Sequence, residues 1–332
     1  MKLYFLGLDG FAANIIFAPD NRGRWPLIEE VCQSGLYGVS ECEPDHAFTG
    51  PSWTTIYTGQ PAAVHGVTDL WGRPVNGSRT FQTVREPYIW DVLNRHGLTC
   101  GVVTMPVTYP ARPIKGYMIS GFPSPRLSVT GNVQVPPDFI VDHSQEIRKT
   151  TRLPGLGYSW HDLHPLEEDL ELLKDCELKK AALVGELAQQ QAVDVLFVQY
   201  SCLDRVGHEL NNYARRGQGY NPAHILEMYD WFDRTLFPIL LRIESDYLVI
   251  ASDHGWQHCD GFGKHEPAGV FVARGEDIPQ GLRTDCRNLD VAPTVLDTLG
   301  LPPENVAGHS VLVWQSELDE VNQQLKGLGY IG

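Results

Sequence analysis

Three features are missing from this sequence, and each absence narrows what the chain can do. It has no block of Lys and Arg: 26 basic residues stand against 41 acidic ones, for a formal charge of −15. Such a balance repels a phosphate backbone, so no nucleic-acid-binding surface is expected. It has no CxxC pair, and its seven cysteines are odd in number and widely scattered. That excludes a zinc ribbon and suits free thiols in a reducing cytoplasm better than a disulfide framework. It also has no apolar run of membrane-spanning length, since the closest, over 236–243, is interrupted by Pro238 and Arg242. The opening MKLYFLGLDGF reaches Asp9 too soon for a signal-peptide core and reads as a strand. The expectation is a soluble, cytoplasmic protein with no membrane partner.

Material for a core is plentiful: 42% of the 332 residues are apolar and only 20% charged, which suits one large α/β domain or two modest ones. Apolar, β-rich runs over 3–8, 99–104, 193–200 and 247–251 alternate with helical periodicity over 51–58, 87–96, 166–191, 223–243 and 290–299. This rhythm predicts an α/β fold, a mostly parallel central sheet with helices on both faces. From 106 to 164 the rhythm fails in a stretch rich in Pro, Gly, Ser and Thr, which reads as a small cap or lid inserted into a single domain over 1–332.

Polar residues stand where three of the strands end. Asp9 follows 3–8, Asp204 and His208 follow 193–200, and Asp253-His254 follow 247–251. Ligands of open α/β sheets bind beyond the carboxyl ends of strands. A lone Asp after a strand is commonly a turn or cap residue, but three such ends form a cluster. The DxxxH spacing puts Asp204 and His208 on one face of a turn, and Asp253-His254 points two ligands into neighbouring sites. His265, before the strand-like 269–273, supplies a sixth ligand, with His258 and His309 as alternatives. Three carboxylates and three imidazoles suit two divalent ions, zinc foremost and manganese second. The missing nucleophile is found at Thr49, where Pro51 favours the first turn of a helix and the hydroxyl lies at or beside its N-cap. Capping alone is the plainer reading of such a threonine, yet a nearby dication turns a hydroxyl into a nucleophile.

Taken together, Leu8-Asp9-Gly10, the stretch from Thr49 to Gly59 with His65-Gly66, Asp204-xxx-His208, Ser252-Asp253-His254-Gly255, His265, Asp290–Leu296 and Leu328-Gly329-Tyr330 resemble the alkaline phosphatase superfamily. Within it the chain resembles the type I phosphodiesterase and nucleotide pyrophosphatase group over nearly its whole length. The resemblance implies that Asp204, His208 and His265 hold one zinc ion, and that Asp9, Asp253 and His254 hold the other with the Thr49 oxygen. It implies hydrolysis of a phosphodiester or phosphoanhydride bond of a small, nucleotide-like phosphate ester through a covalent phospho-threonine, with the Gly50 amide donating to a phosphoryl oxygen. The group's aromatic residue after the nucleophile is Gly50 here, and its Asn some twenty positions on is Leu70. Asp69 and Trp71 are therefore the expected substrate contacts, and Trp53, Trp71, Tyr158 and Trp160 are candidates for stacking, with core or lid packing the commoner use. Alternatives on the same site are a phosphomonoesterase, a phosphonate hydrolase or a phosphotransferase, and from another class a metal-stabilised binding protein without turnover.

Overall fold

Every side chain of LYFLGL and VLFVQY is buried, as befits strands covered on both faces. The computed structural model describes residues 1–68, 84–122, 128–136, 165–217, 219–259, 261–312 and 315–328. Its strands are, in chain order, Leu3–Leu8 (β1), Leu36–Glu41 (β2), Cys100–Val103 (β3), Gly116–Ile119 (β4), Val129–Thr130 (β5), Val195–Tyr200 (β6), Tyr247–Ala251 (β7), Gly255–Cys259 (β8), Phe262–Glu266 (β9), Ala268–Arg274 (β10), Leu282–Arg283 (β11) and Cys286–Arg287 (β12). All but β8 and β9 form one 10-stranded sheet in the order β11-β2-β10-β7-β1-β6-β3-β4-β5, with β12 also on β2. The centre is parallel: β1 pairs with β6 from Leu3↔Val195 to Leu8↔Tyr200, and with β7 from Leu3↔Tyr247 to Gly7↔Ala251. The carboxyl ends of these three strands therefore lie side by side. β10 runs antiparallel to both β2 and β7, and β8 and β9 make a separate hairpin.

Helices cover both faces. Leu166–Gln190, Cys202–Arg215 and Ala223–Trp231 pack on one, and Thr49–Thr58, Ile89–Arg95 and Asn288–Thr298 on the other. Among the described residues no helix is long and apolar enough to cross a membrane. Six cysteines, at 32, 42, 100, 176, 202 and 286, are free and buried.

Two expectations need correction. The helix expected over 223–243 is broken into Ala223–Trp231, a π turn at Phe232–Leu236, and Phe237–Leu240. Pro238 has no amide hydrogen for the helical ladder, and the wider turn before it relieves the conflict. The irregular stretch from 106 also contributes to the sheet: Gly116–Ile119 runs parallel to β3, and Val129–Thr130 closes antiparallel on it. These strands of four and two residues are too short to show a period among their prolines and glycines. The remainder of the expected cap, at 123–127 and 137–164, lies outside the described residues, as do Tyr158, Trp160, Asp69 and Trp71.

Candidate metal centre

The first group is assembled by a strand end, a helix and a hairpin. Gly10 turns the chain after β1 with φ +68°, and a Cβ there would sit 2.8 Å from the Asp204 Cα. Only glycine lets the Cys202–Arg215 helix start so close to Asp9. Four residues apart on that helix, Asp204 and His208 share a face, with His208 Nε2 3.3 Å from Asp204 Oδ2. The β8–β9 hairpin brings His265, whose Nε2 lies 3.2 Å from Asp204 Oδ1 and 3.1 Å from His208 Nε2. His265 Nδ1 donates to the Ala47 carbonyl at 3.0 Å, which turns Nε2 toward Asp204 and His208.

The second group is more deeply buried. Asp9 is 3% exposed, and Asp253 and His254 are fully buried. His254 Nδ1 donates to the Gly255 carbonyl at 3.1 Å, and its Nε2 then faces Asp253 Oδ2 at 3.2 Å and Asp9 Oδ1 at 3.5 Å. Asp253 accepts the Gly10 amide at 3.3 Å on its other oxygen, while Asn288 holds the Asp253 carbonyl at 2.7 Å. In each group the ligand atoms lie within 4.8 Å of one another. The His254 and His265 rings stack with centroids 3.9 Å apart, so the two groups adjoin.

Four buried atoms here lack a hydrogen-bond partner: Asp9 Oδ1, Asp204 Oδ1, Asp253 Oδ2 and His254 Nε2. Buried polar atoms are normally satisfied, and these four all carry lone pairs and belong to the two adjoining groups. Electrostatics agrees. Burial, followed by the charge of Asp204, pushes the Asp9 carboxyl up to about 7. Burial, then Asp9 and Asp204, drive Asp253 well above the usual carboxylate range. Burial would raise Asp204 too, but His208 and His265 outweigh it and hold that carboxyl well below its ordinary value. Burial, with the charge of His265, keeps His254 neutral. Crowded carboxylates beside a neutral His254 with a free lone pair fit divalent cations, and this oxygen and nitrogen donor set suits zinc.

Thr49 is the first residue of the Thr49–Thr58 helix and follows Phe48, an extended N-cap residue that makes no side-chain cap bond. Thr49 is 7% exposed. Two residues before it Ala47 contacts His265, and one turn after it Trp53 Nε1 donates to Asp9 Oδ2 at 3.3 Å. The start of this helix is thus tied to both groups. The Gly50 amide lies in the first turn, where amides have no acceptor within the helix. Trp53, a stacking candidate by sequence, is instead fully buried. His258 is engaged by the Tyr220 hydroxyl at 2.8 Å, and neither it nor His309 belongs to either ligand group. Sequence reasoning missed Gln199, whose Nε2 donates to Asp9 Oδ2 at 2.9 Å; its signal is a lone amide in an otherwise apolar strand.

The sequence profile of type I phosphodiesterases / nucleotide pyrophosphatases matches residues 3–276. The chain belongs to this family. This phosphodiesterase-family enzyme is similar in fold to human ectonucleotide pyrophosphatase / phosphodiesterase 5, at 12% identity and a TM-score of 0.59 over 93% of this chain and 97% of that one. An inactive murine form of the same protein, in complex with AMP, gives 12% identity and a TM-score of 0.61 over the same shares. A structure in complex with its substrate D-glucosamine-2-N,6-O-disulfate gives 13% and 0.55, over 93% of this chain and 79% of that one. No curated protein matches the sequence.

Proposed function

We propose that this family member hydrolyses phosphodiester or phosphoanhydride bonds of a small, nucleotide-like ester, with Thr49 as nucleophile and two zinc ions as cofactors. The observation that carries the reading is the pair of adjoining ligand groups, with four orphaned donor atoms, beneath the helix that Thr49 begins. Asp204, His208 and His265 hold one ion, and Asp9, Asp253 and His254 the other. Bound there, two dications neutralise phosphoryl oxygens and lower the pKa of a coordinated hydroxyl or water. The Thr49 oxygen attacks phosphorus and the ester oxygen departs, leaving a phospho-threonine that water then hydrolyses. The Gly50 amide donates to a non-bridging oxygen during both steps. The AMP bound to the murine relative supports a nucleotide-like substrate.

A monoester substrate is favoured by one observation. Arg205, next to Asp204 in sequence, has its guanidinium 4.8 Å over the Phe122 ring and lies near enough to Asp9 to favour that carboxylate's charged form. A cation close enough to act on Asp9 would hold the extra charge of a monoester. The test is metal content per purified chain, followed by hydrolysis of bis-p-nitrophenyl phosphate and p-nitrophenyl phosphate before and after chelation. The expected result is two ions per chain, faster diester hydrolysis, and loss of activity on chelation that zinc restores. Faster monoester hydrolysis transfers the reading to the monoesterase. Full activity without metal contradicts both.

A further inference from the structure

Asp9 presents its two oxygens unequally. Oδ2 accepts from Gln199 Nε2 at 2.9 Å and from Trp53 Nε1 at 3.3 Å, which uses both lone pairs of that oxygen. Oδ1 has no hydrogen-bond partner and faces His254. We propose that Gln199 and Trp53 are positioning residues that hold Asp9 to the ion it shares with Asp253 and His254 through Oδ1 alone. The proposal rests on the assignment of those three residues as ligands.

Both donors are built in rather than incidental. Gln199 is 6% exposed and Trp53 fully buried. Gln199 lies beside Gly7 in the β1–β6 register, so the two share a face of the sheet. A Cβ at Gly7 would come within 2.6 Å of the Trp53 ring. Glycine in a buried central strand is costly, and here it clears the space through which the indole reaches Asp9. The Gln199 carbonyl is held in turn by the Thr104 hydroxyl at 2.9 Å. Thr104 has φ +56°, a strained conformation for a β-branched residue that persists only when its surroundings impose it.

The consequence is a link between nucleophile and ligand. Trp53 stands one helical turn after Thr49, so the bond that orients Asp9 also sets the register of the nucleophile's helix against it. Gln199 lies on the strand that leads directly into Asp204 and His208. The indole and the amide thus attach one carboxylate to the helix that begins with Thr49 and to the strand that leads into Asp204 and His208. A carboxylate free to rotate would offer either oxygen or both, and the ion's position relative to Thr49 would vary.

The test uses the full-length chain stripped of metal and titrated with Zn2+ against a chromophoric chelator, for wild type, Gln199→Met, Trp53→Phe and Asp253→Asn. Wild type gives two binding steps, and Asp253→Asn identifies the step belonging to the Asp9 group. Gln199→Met and Trp53→Phe are expected to weaken that same step by about ten- to a hundredfold and to leave the other unchanged. Trp53→Phe removes the indole donor together with the benzo-ring atoms beside Gly7, whereas Gln199→Met removes a donor at nearly constant volume; the two reach the same oxygen from different elements, so either one decides the matter if the other does not fold. Wild-type affinity at both steps in these variants overturns the proposal, as does equal weakening of both steps. Uptake of fewer than two zinc ions by wild type overturns the ligand assignment beneath it.

Discussion

His65 and His254 are both fully buried, and they put their lone pairs to different uses. His254 spends its one proton on the Gly255 carbonyl and keeps Nε2 bare among carboxylates. His65 is satisfied on both sides: Nδ1 accepts the Val67 amide and Nε2 meets the Thr55 hydroxyl, each at 3.1 Å. The first arrangement leaves a ligand atom and the second a structural pin, though both residues sit in sequence motifs of the same family. Burial, then His46, depress His65 from 6.5 to about 4, so the folded state takes up its proton later than the unfolded state does. Its contribution to stability is therefore complete above pH 6.5 and is lost as pH falls toward 4. Denaturant unfolding between pH 4 and 7.5 should show wild type losing about 3 kcal/mol from this group, and His65→Gln should flatten that part of the slope. The residues of the two candidate groups were legible because Asp and His at strand ends signal chemistry. Gln199 and Trp53 were not, because hydrogen bonding between distant strands and helices leaves no spacing to read.

The Cys202–Arg215 helix carries two of the candidate ligands, and its start is held by another helix. Glu177, in Leu166–Gln190, accepts both the amide and the hydroxyl of Ser201, at 2.8 and 3.1 Å. Its charge is balanced by Lys180 at 2.6 Å, with both side chains almost wholly buried. Removing one partner of such a pair strands the other charge. Lys180→Met is expected to cost about 3–5 kcal/mol in denaturant unfolding, and adding Glu177→Gln should recover most of it, since the amide oxygen still accepts from Ser201. If the double variant is less stable than Lys180→Met, the pair is not an isolated charge problem. Elements of this kind differ in how clearly the sequence announces them. The runs over 3–8 and 247–251 coincide with β1 and β7, because apolar stretches bounded by polar residues leave little choice of ends. The β9 strand that carries His265 is mostly half-buried, and without an apolar run it has no pattern to recognise. Its place in the centre depends on the hairpin folding back against β8.

At the scale of the whole molecule, a chain of formal charge −15 folds so that Asp9, Asp204 and Asp253 converge at adjoining strand ends. The parallel register of β7, β1 and β6 makes this convergence obligatory, and the Thr49–Thr58 helix packs over it from the opposite face to Cys202–Arg215. Overall acidity argues against binding a nucleic-acid backbone and says nothing against a phosphate ester at this one point, since bound dications would dominate the local field. The parallel core was legible from the recurring strand and helix periods. The antiparallel placing of β10 between β2 and β7 was not, because a strand's direction depends on partners far along the chain. The measurement that tests the account most directly is the hydrolysis rate of bis-p-nitrophenyl phosphate by Thr49→Ala carrying its full complement of zinc. The account predicts two ions bound, as in wild type, and a rate lower by about three orders of magnitude or more. A zinc-loaded Thr49→Ala that turns over at the wild-type rate would contradict it.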